Sequence, residues 1–459
     1  MRYPSTWGRI MKQINEKQLI EKANKPGKDA MLLHPFYHGK IEVIPKCRIR
    51  DFSDFAIWYT PGVAEPCKEI QKHPHKVYDY TNKWNAVAVV SDGTRVLGLG
   101  DIGPEASLPV MEGKSLLFKY LGGVDAYPIC LNTKNPDEII QAVKWLTPSF
   151  GGINLEDIEK PKCFYILNRL REEMDIPVWH DDQQGTATIV TAGVINALKI
   201  VGKPLNTALV SMVGAGAANI AIARVLIAAG VKQKNIIMVD SKGILHPSRK
   251  DLEREKDKNP EKWQMCLKSN AEGRTGGPAE ALKGTDICVA ASKPGPGTIK
   301  KEWVSSMASN AIVFATANPV PEIWPWEAEE AGARIIATGR SDFPNQINNS
   351  LGFPGIFRGT LDVRAETITD EMCIAAAHEL AKTAEDQGID DHYIVPTMDS
   401  WEVFPREAVA VGMKAISQGI ARIKPSRQEL YDQAMTIIKR SRDATQSLMK
   451  EGFIAKAPE

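Results

Sequence analysis

Two pairs of adjacent acids, Glu156-Asp157 and Asp181-Asp182, each follow a short apolar run: Phe150-Gly-Gly-Ile-Asn-Leu before the first, Ile176-Pro-Val-Trp-His before the second. Such runs read as buried strands, and a carboxylate at the end of one is costly unless a cation or donors compensate it. One of the acids could cap the helix that begins near Thr186, a common use of Asp. Capping accounts for one member of a doublet and leaves the other. Two strand-terminal doublets this close in sequence suggest an all-oxygen site for a hard divalent cation, Mg²⁺ or Mn²⁺ in preference to zinc. Lys114 falls in the first turn of a helix expected over residues 108–119, where the macrodipole disfavours a cation. That misfit suggests a task for it, against the alternative of a snorkelling surface lysine. Tyr59 precedes Thr60-Pro61-Gly62, which is turn chemistry, so it stands where an element breaks and could either react or simply pack.

The elements that must hold these residues start with a helix expected over 10–24 and closed by Pro26-Gly27. His34 and His38 lie four apart, but Pro35 and Gly39 argue for a loop with structural histidines. Residues 85–91 read as a buried strand that turns through Asp92-Gly93-Thr94-Arg95, a hairpin signal, to a returning partner at 96–101. A strand at 125–131 and a helix at 136–146 follow. After a helix at 186–200 the chain repeats strand and helix units. The strands are expected at 207–213, 235–240, 286–292, 311–316 and 333–338, with a loop-rich polar insertion at 248–278. That alternation predicts a doubly wound parallel sheet.

The first turn of this sheet reads Val213-Gly-Ala-Gly-Ala-Ala-Asn219. Gly214, Ala215, Gly216, Ala217 and Ala218 are placed to seat a dinucleotide pyrophosphate on backbone N–H groups at a helix N-terminus. Asn219 replaces the usual third glycine, which puts the closeness of that turn in question. Asp240 ends the second strand, where an acid takes the ribose hydroxyls of NAD; Lys242 nearby could meet the 2′-phosphate of NADP. The reading leans towards NAD. Asn318, before Pro319, closes a later strand at the crevice, and the amide-rich and glycine-rich stretch 345–359 reads as a ligand-facing loop. From 366 onward the chain is mostly helical, with Ser426-Arg-Gln-Glu429 a capping box.

A chain of 459 residues suits two domains with a helical appendage. The expected division is 1–185 for a metal and substrate domain, 186–345 for an α/β dinucleotide domain, and 346–459 for helices packing back on the first domain or on a second subunit. A net charge of +1 argues against a nucleic-acid partner. Seven scattered cysteines without a CxxC pair read as reduced thiols, and no apolar run is long enough for a bilayer, so a cytoplasmic setting is expected.

Taken together, these stretches resemble the malic enzymes of the short bacterial and archaeal type. The matching motifs are Tyr59-Thr-Pro-Gly-Val-Ala64, Ser91-Asp-Gly-Thr94, Leu97-Gly-Leu-Gly-Asp-Ile-Gly103, Met111-Glu-Gly-Lys-Ser115 and Asn154-Leu-Glu-Asp157. His180-Asp-Asp-Gln-Gln-Gly-Thr-Ala187, Gly214-Ala-Gly-Ala217, Ala317-Asn-Pro319 and the run from Gln346 to Gly359 complete them. They span about residues 55 to 365 in the family's order. The resemblance implies Lys114 as general base and Tyr59 as general acid, with Glu156, Asp157 and Asp182 as ligands of Mg²⁺ or Mn²⁺. Asp181 would support Lys114; Asn318, Asn348 and Asn349 would meet substrate or nicotinamide, and Arg95 would grip a substrate carboxylate. It implies NAD(P)-dependent oxidative decarboxylation of malate by a homodimer. A lysine base would need its pKa lowered by burial or a nearby cation. A malolactic reaction that retains NADH, a non-catalytic dinucleotide sensor and a metal-free 2-hydroxy-acid dehydrogenase are the competing readings. The four acids speak against the last two.

Overall fold

The computed structural model describes residues 16–458. Its first sheet is built from β1 (Ala86–Ser91), β2 (Asp125–Cys130), β3 (Gly152–Leu155) and β4 (Val178–His180), all parallel and ordered β2-β1-β3-β4. The expected hairpin after β1 does not form. Both faces of β1 are covered: Val87 and Val89 pack with Phe118 and Phe357, while Ala88 and Val90 pack with Ile139 and Leu167. A strand buried on both faces belongs in a parallel layer between helices, and the chain at 92–103 therefore runs on as a loop. Helix α1 (Glu16–Tyr37) passes through Pro26-Gly27 instead of ending there, and it carries His34 in its last turn. The part of the expected opening helix before Glu16 lies outside the described residues.

Helix α2 (Pro104–Gly122) crosses the first sheet, followed by α3 (Pro136–Leu146) and α4 (Lys162–Glu173). A glycine at 123 in the left-handed region closes α2. Helix α5 (Thr186–Val201) then leads into the second sheet, ordered β10-β9-β8-β5-β6-β7. Its strands are β5 (Val210–Val213), β6 (Ile236–Asp240), β7 (Gly243–Ile244), β8 (Ile287–Ala290), β9 (Ala311–Ala315) and β10 (Ala333–Thr338). All pair in parallel except β7, a two-residue antiparallel edge absent from the expectation. The run 248–278, expected as loop, contains helices at Lys250–Arg254 and Pro260–Lys268. Helix α6 (Ala217–Ala229) follows β5. The order reverses at β5, whose neighbours β6 and β8 lie on opposite sides, and in sheets of this kind the crevice for a ligand lies at the strands' carboxyl ends there.

The chain after residue 352 returns to both sheets through α7 (Phe353–Asp362), α8 (Asp370–Asp386), α9 (Val403–Gln418) and α10 (Arg427–Lys450). Phe353, Ile356 and Phe357 of α7 share a core with Val87, Val89, Met111 and Phe118. Ala377, Leu380 and Ala381 of α8 pack against α5, and Asn196 of α5 donates to the Ala381 and Ile394 carbonyls at 2.8 Å each. Arg358 and Asp362, both fully buried, pair at 2.7 Å, and the guanidinium also donates to Asn85. A buried pair of this kind requires well-satisfied partners, which fixes α7 against the start of β1.

Candidate active site

The pairing of Leu155 with His180 sets the ends of β3 and β4 level. Glu156-Asp157 and Asp181-Asp182 therefore leave adjacent strand ends at one height, although 25 residues separate Asp157 from Asp182. Residues Asp181–Gly185 wind into a π-helical turn before α5. A Cβ on Gly185 would lie 2.0 Å from Asp181 Oδ1, so only glycine lets that carboxylate sit there. Asp181 is fully buried, and the side chain of Asp182 remains 39% exposed.

Glu156, Asp157 and Asp182 each offer an oxygen within 4.8 Å of the others. Asp157 adopts φ 54°, its N–H donates to Asp182 Oδ2 at 3.0 Å, and its own Oδ2 is buried without a hydrogen-bond partner among the described residues. Burial pushes the Asp157 carboxyl up to about 8, with Asp182 adding to the rise. Burial likewise lifts Glu156 well above the usual carboxylate range. Three crowded, half-dehydrated carboxylates require positive charge.

Lys114 brings one such charge. Its Nζ lies 2.6 Å from Asp181 Oδ2 and 3.0 Å from Glu156 Oε1, and 4.5 Å from the centre of the Phe353 ring. Two expectations fail here. Helix α2 starts at Pro104, so Lys114 stands in the helix interior and no dipole misfit exists. Its pKa is also raised, not lowered. Burial pulls it down, but the Asp181 and Glu156 carboxylates overcome that and hold Lys114 protonated.

The acids have supports that the sequence reading missed. Trp179 Nε1 donates to Asp181 Oδ1 at 3.1 Å, and Asn154 Nδ2 donates to Glu156 Oε2 at 2.9 Å. Each donor precedes its acid by two residues, the repeat that returns side chains to one face of a strand, so the spacing was available as a signal. Phe353, beneath Lys114, comes from a helix distant in sequence and had no such signal. His180 is buried, with Nδ1 3.7 Å from Asp182 Oδ2; burial lowers its pKa and keeps it neutral.

Across the crevice, Gly214 takes φ 100°, and a Cβ there would meet the Ala291 carbonyl oxygen at 2.6 Å. Gly216, Ala217 and Ala218 open α6, with Ala215 in the turn before them. Asn219 Nδ2 donates to the carbonyls of Val213 (2.9 Å) and Gly214 (2.8 Å). The residue in the third glycine's place thus ties the turn to β5 instead of loosening it. Asp240 ends β6, paired with Lys262 at 2.6 Å and Arg249 at 3.1 Å. These cations outweigh burial and hold its carboxyl below the usual range.

Asn318, exposed after β9, flanks Gly339, where a Cβ would lie 2.7 Å from its Nδ2; its carbonyl faces Gly98 of the first domain. Asn349 adjoins the π-turn, its Cβ 3.2 Å from the position a Gly185 Cβ would take. Asn348 instead accepts from the Ser350 N–H at 3.0 Å as a cap. Arg95 donates its N–H to the Asp157 carbonyl, and its guanidinium donates to Leu97. Tyr59 is the outlier: its side chain is 73% exposed, and its hydroxyl makes no hydrogen bond among the described residues.

Comparison with known proteins finds one family along most of the chain. Residues 38–171 match the family model described as malic enzyme, N-terminal domain, and residues 183–416 match that of malic enzyme, NAD binding domain. The chain is 48% identical over 412 residues to the bifunctional malic/malolactic enzyme of Bacillus subtilis, covering 89% of this chain and 98% of that one. It is 50% identical over 384 residues to the NAD-dependent malic enzyme of Geobacillus stearothermophilus, covering 84% and 78%. The crystal structure of the Entamoeba histolytica malic enzyme superposes with a TM-score of 0.94 at 45% identity, covering 100% of this chain and 96% of the other.

Proposed function

The chain belongs to the malic enzyme family, and on that footing we propose that it converts malate and an oxidised nicotinamide dinucleotide to pyruvate, CO₂ and the reduced dinucleotide. The observation that carries the reading is the meeting of Lys114 with Asp181 and Glu156 beside the Glu156, Asp157 and Asp182 cluster.

The all-carboxylate donor set and the orphaned Asp157 Oδ2 fit a hard divalent cation, Mg²⁺ or Mn²⁺, which Glu156, Asp157 and Asp182 would hold. When bound, the cation would supply Lewis-acid polarisation of the C2 oxygen of malate, and the dinucleotide would supply the hydride acceptor. Glu156 would then direct its charge to the cation, leaving Asp181 as the main partner of Lys114. With Asp181 as its partner, Lys114 would accept the C2 hydroxyl proton. Asp181, held by Trp179, orients the lysine. Asn318, Asn349 and Arg95 would contact substrate or nicotinamide; Asn348 shapes the loop that carries Asn349.

Tyr59 returns a proton to C3 after CO₂ leaves. Its exposure within one chain supports an acid that works in a homodimer, where a second copy covers it. The segment around it exposes Val43 (82%), Phe52 (89%), Ile57 (54%) and Trp58 (50%), an apolar face for that copy to cover. Asp240 supports NAD over NADP, because a carboxylate there accepts ribose hydroxyls and repels a 2′-phosphate. No helix among the described residues is long and apolar enough to cross a membrane, and all seven cysteines are unpaired, in keeping with the cytoplasm.

The test is an assay of the purified protein with malate, Mn²⁺ and each dinucleotide in parallel, recording reduced cofactor and CO₂. The name of the Bacillus relative brings the malolactic reaction forward as the second reading. Lactate formed without net accumulation of NADH would identify it.

A further inference from the structure

Lys160 stands on the loop that leaves β3 with the acids, Glu156-Asp157-Ile158-Glu159-Lys160. The loop brings it to the other domain. Its Nζ lies 3.5 Å from the Ala215 carbonyl oxygen, inside the glycine turn. Among the described residues, and beyond the chain neighbours, it is the one atom within 4 Å of a Cβ built on Gly216, at 3.9 Å. A carbonyl at that distance is a weak acceptor, and an ammonium has three protons to place.

The turn needs what Lys160 carries. A dinucleotide pyrophosphate bears about two negative charges, and α6 offers its N–H groups and dipole but no charged residue before Arg224. Desolvation, and then repulsion from Lys262 and Arg95, pull the Lys160 ammonium below its ordinary pKa, so positive charge gathers here with Asp240 its main opposition. Ala217, the first residue of α6, packs against the buried cluster of the first domain that includes Ile158 and Cys163, which ties the turn to the domain that bears the loop.

We propose that Lys160 is a dinucleotide-binding residue whose ammonium ion-pairs with the pyrophosphate seated on the Gly214–Gly216 turn. The loop that bears Glu156 and Asp157 would then also grip the cofactor, joining the acidic site to the nucleotide by five residues. The proposal rests on the dinucleotide reading above and adds a contact from the first domain.

The test is fluorescence titration of the full chain with NADH and with NADPH, without malate or metal, at low and at high salt. K160Q is expected to raise Kd about tenfold for both dinucleotides, the loss of roughly one 1.4 kcal/mol ion pair, with the difference from wild type shrinking as salt rises. K160R is expected to restore binding to within about twofold of wild type, since it returns the charge. An unchanged Kd in K160Q overturns the proposal. A loss confined to NADPH also overturns it, by assigning the ammonium to a 2′-phosphate. Failure of the wild type to bind either dinucleotide would instead sink the functional reading itself.

Discussion

Glu156, Asp157 and Asp182 repel one another, and a single buried lysine answers only part of that repulsion. Asp182→Asn removes one cation ligand, and we expect metal-dependent turnover to be lost with Mn²⁺ affinity lowered at least tenfold by calorimetry; undiminished affinity would take Asp182 out of the ligand set. Lys114→Ala should abolish malate oxidation yet leave NADH affinity within about twofold, because Lys114 lies on the acidic side of the crevice. The raised carboxyls also set a pH dependence. Asp157 titrates near 8 in the folded chain against about 3.9 unfolded, so the native state binds more protons between those values, and stability falls as pH rises through that window. The melting temperature of the metal-free protein should drop between pH 6 and 8.5, and saturating Mg²⁺ should abolish the drop. At this scale the sequence spoke plainly of the four acids, because doublets at the ends of apolar runs are physically unusual. It said little of Lys114's charge state. A lysine's pKa depends on which carboxylates fold against it, and Asp181 lies 67 residues away.

The turns that carry these side chains are built around single atoms of clearance. Asn219 makes two hydrogen bonds to the end of β5, and Asn219→Ala removes both, leaving the Val213 carbonyl with the Ala291 N–H alone and the half-buried Gly214 carbonyl without this donor. A stability loss of about 1–3 kcal/mol is expected by chemical denaturation, together with weaker NADH binding; a loss below about 0.5 kcal/mol would show that the turn holds without it. The strands of the second sheet were legible because continuous apolar runs between helices have few alternative placements. The hairpin after β1 was misread for a related reason. Asp92-Gly93-Thr94 is turn chemistry in either a hairpin or a loop, and the side chains that cover both faces of β1 come from α2, α3, α4 and α7, many of them distant in sequence. Helix α2 begins four residues before the expected 108, with Pro104 at the first helical position and Pro109 inside the helix.

Viewed as a whole, the chain folds back on itself: α7 seals the first sheet, α8 seals α5, and Phe353 ends up beneath Lys114. What the fold leaves open is the segment 41–63, whose apolar side chains face solvent while the remaining large hydrophobics mostly pack. The reading that a second copy covers this segment and receives Tyr59 makes a demand that a self-contained subunit would not. Tyr59→Ala and Lys114→Ala should each be inactive alone. Co-expressed, they form mixed dimers in which one site inherits both lesions and the other inherits neither. With random pairing about half the dimers are mixed, so roughly a quarter of wild-type activity should return. Recovery near that level, together with a dimer mass by sedimentation, places Tyr59 across the interface. A dimer without recovery would mean that Tyr59 serves its own subunit or has no part in the chemistry, and a monomeric active enzyme would remove the second copy from the mechanism altogether.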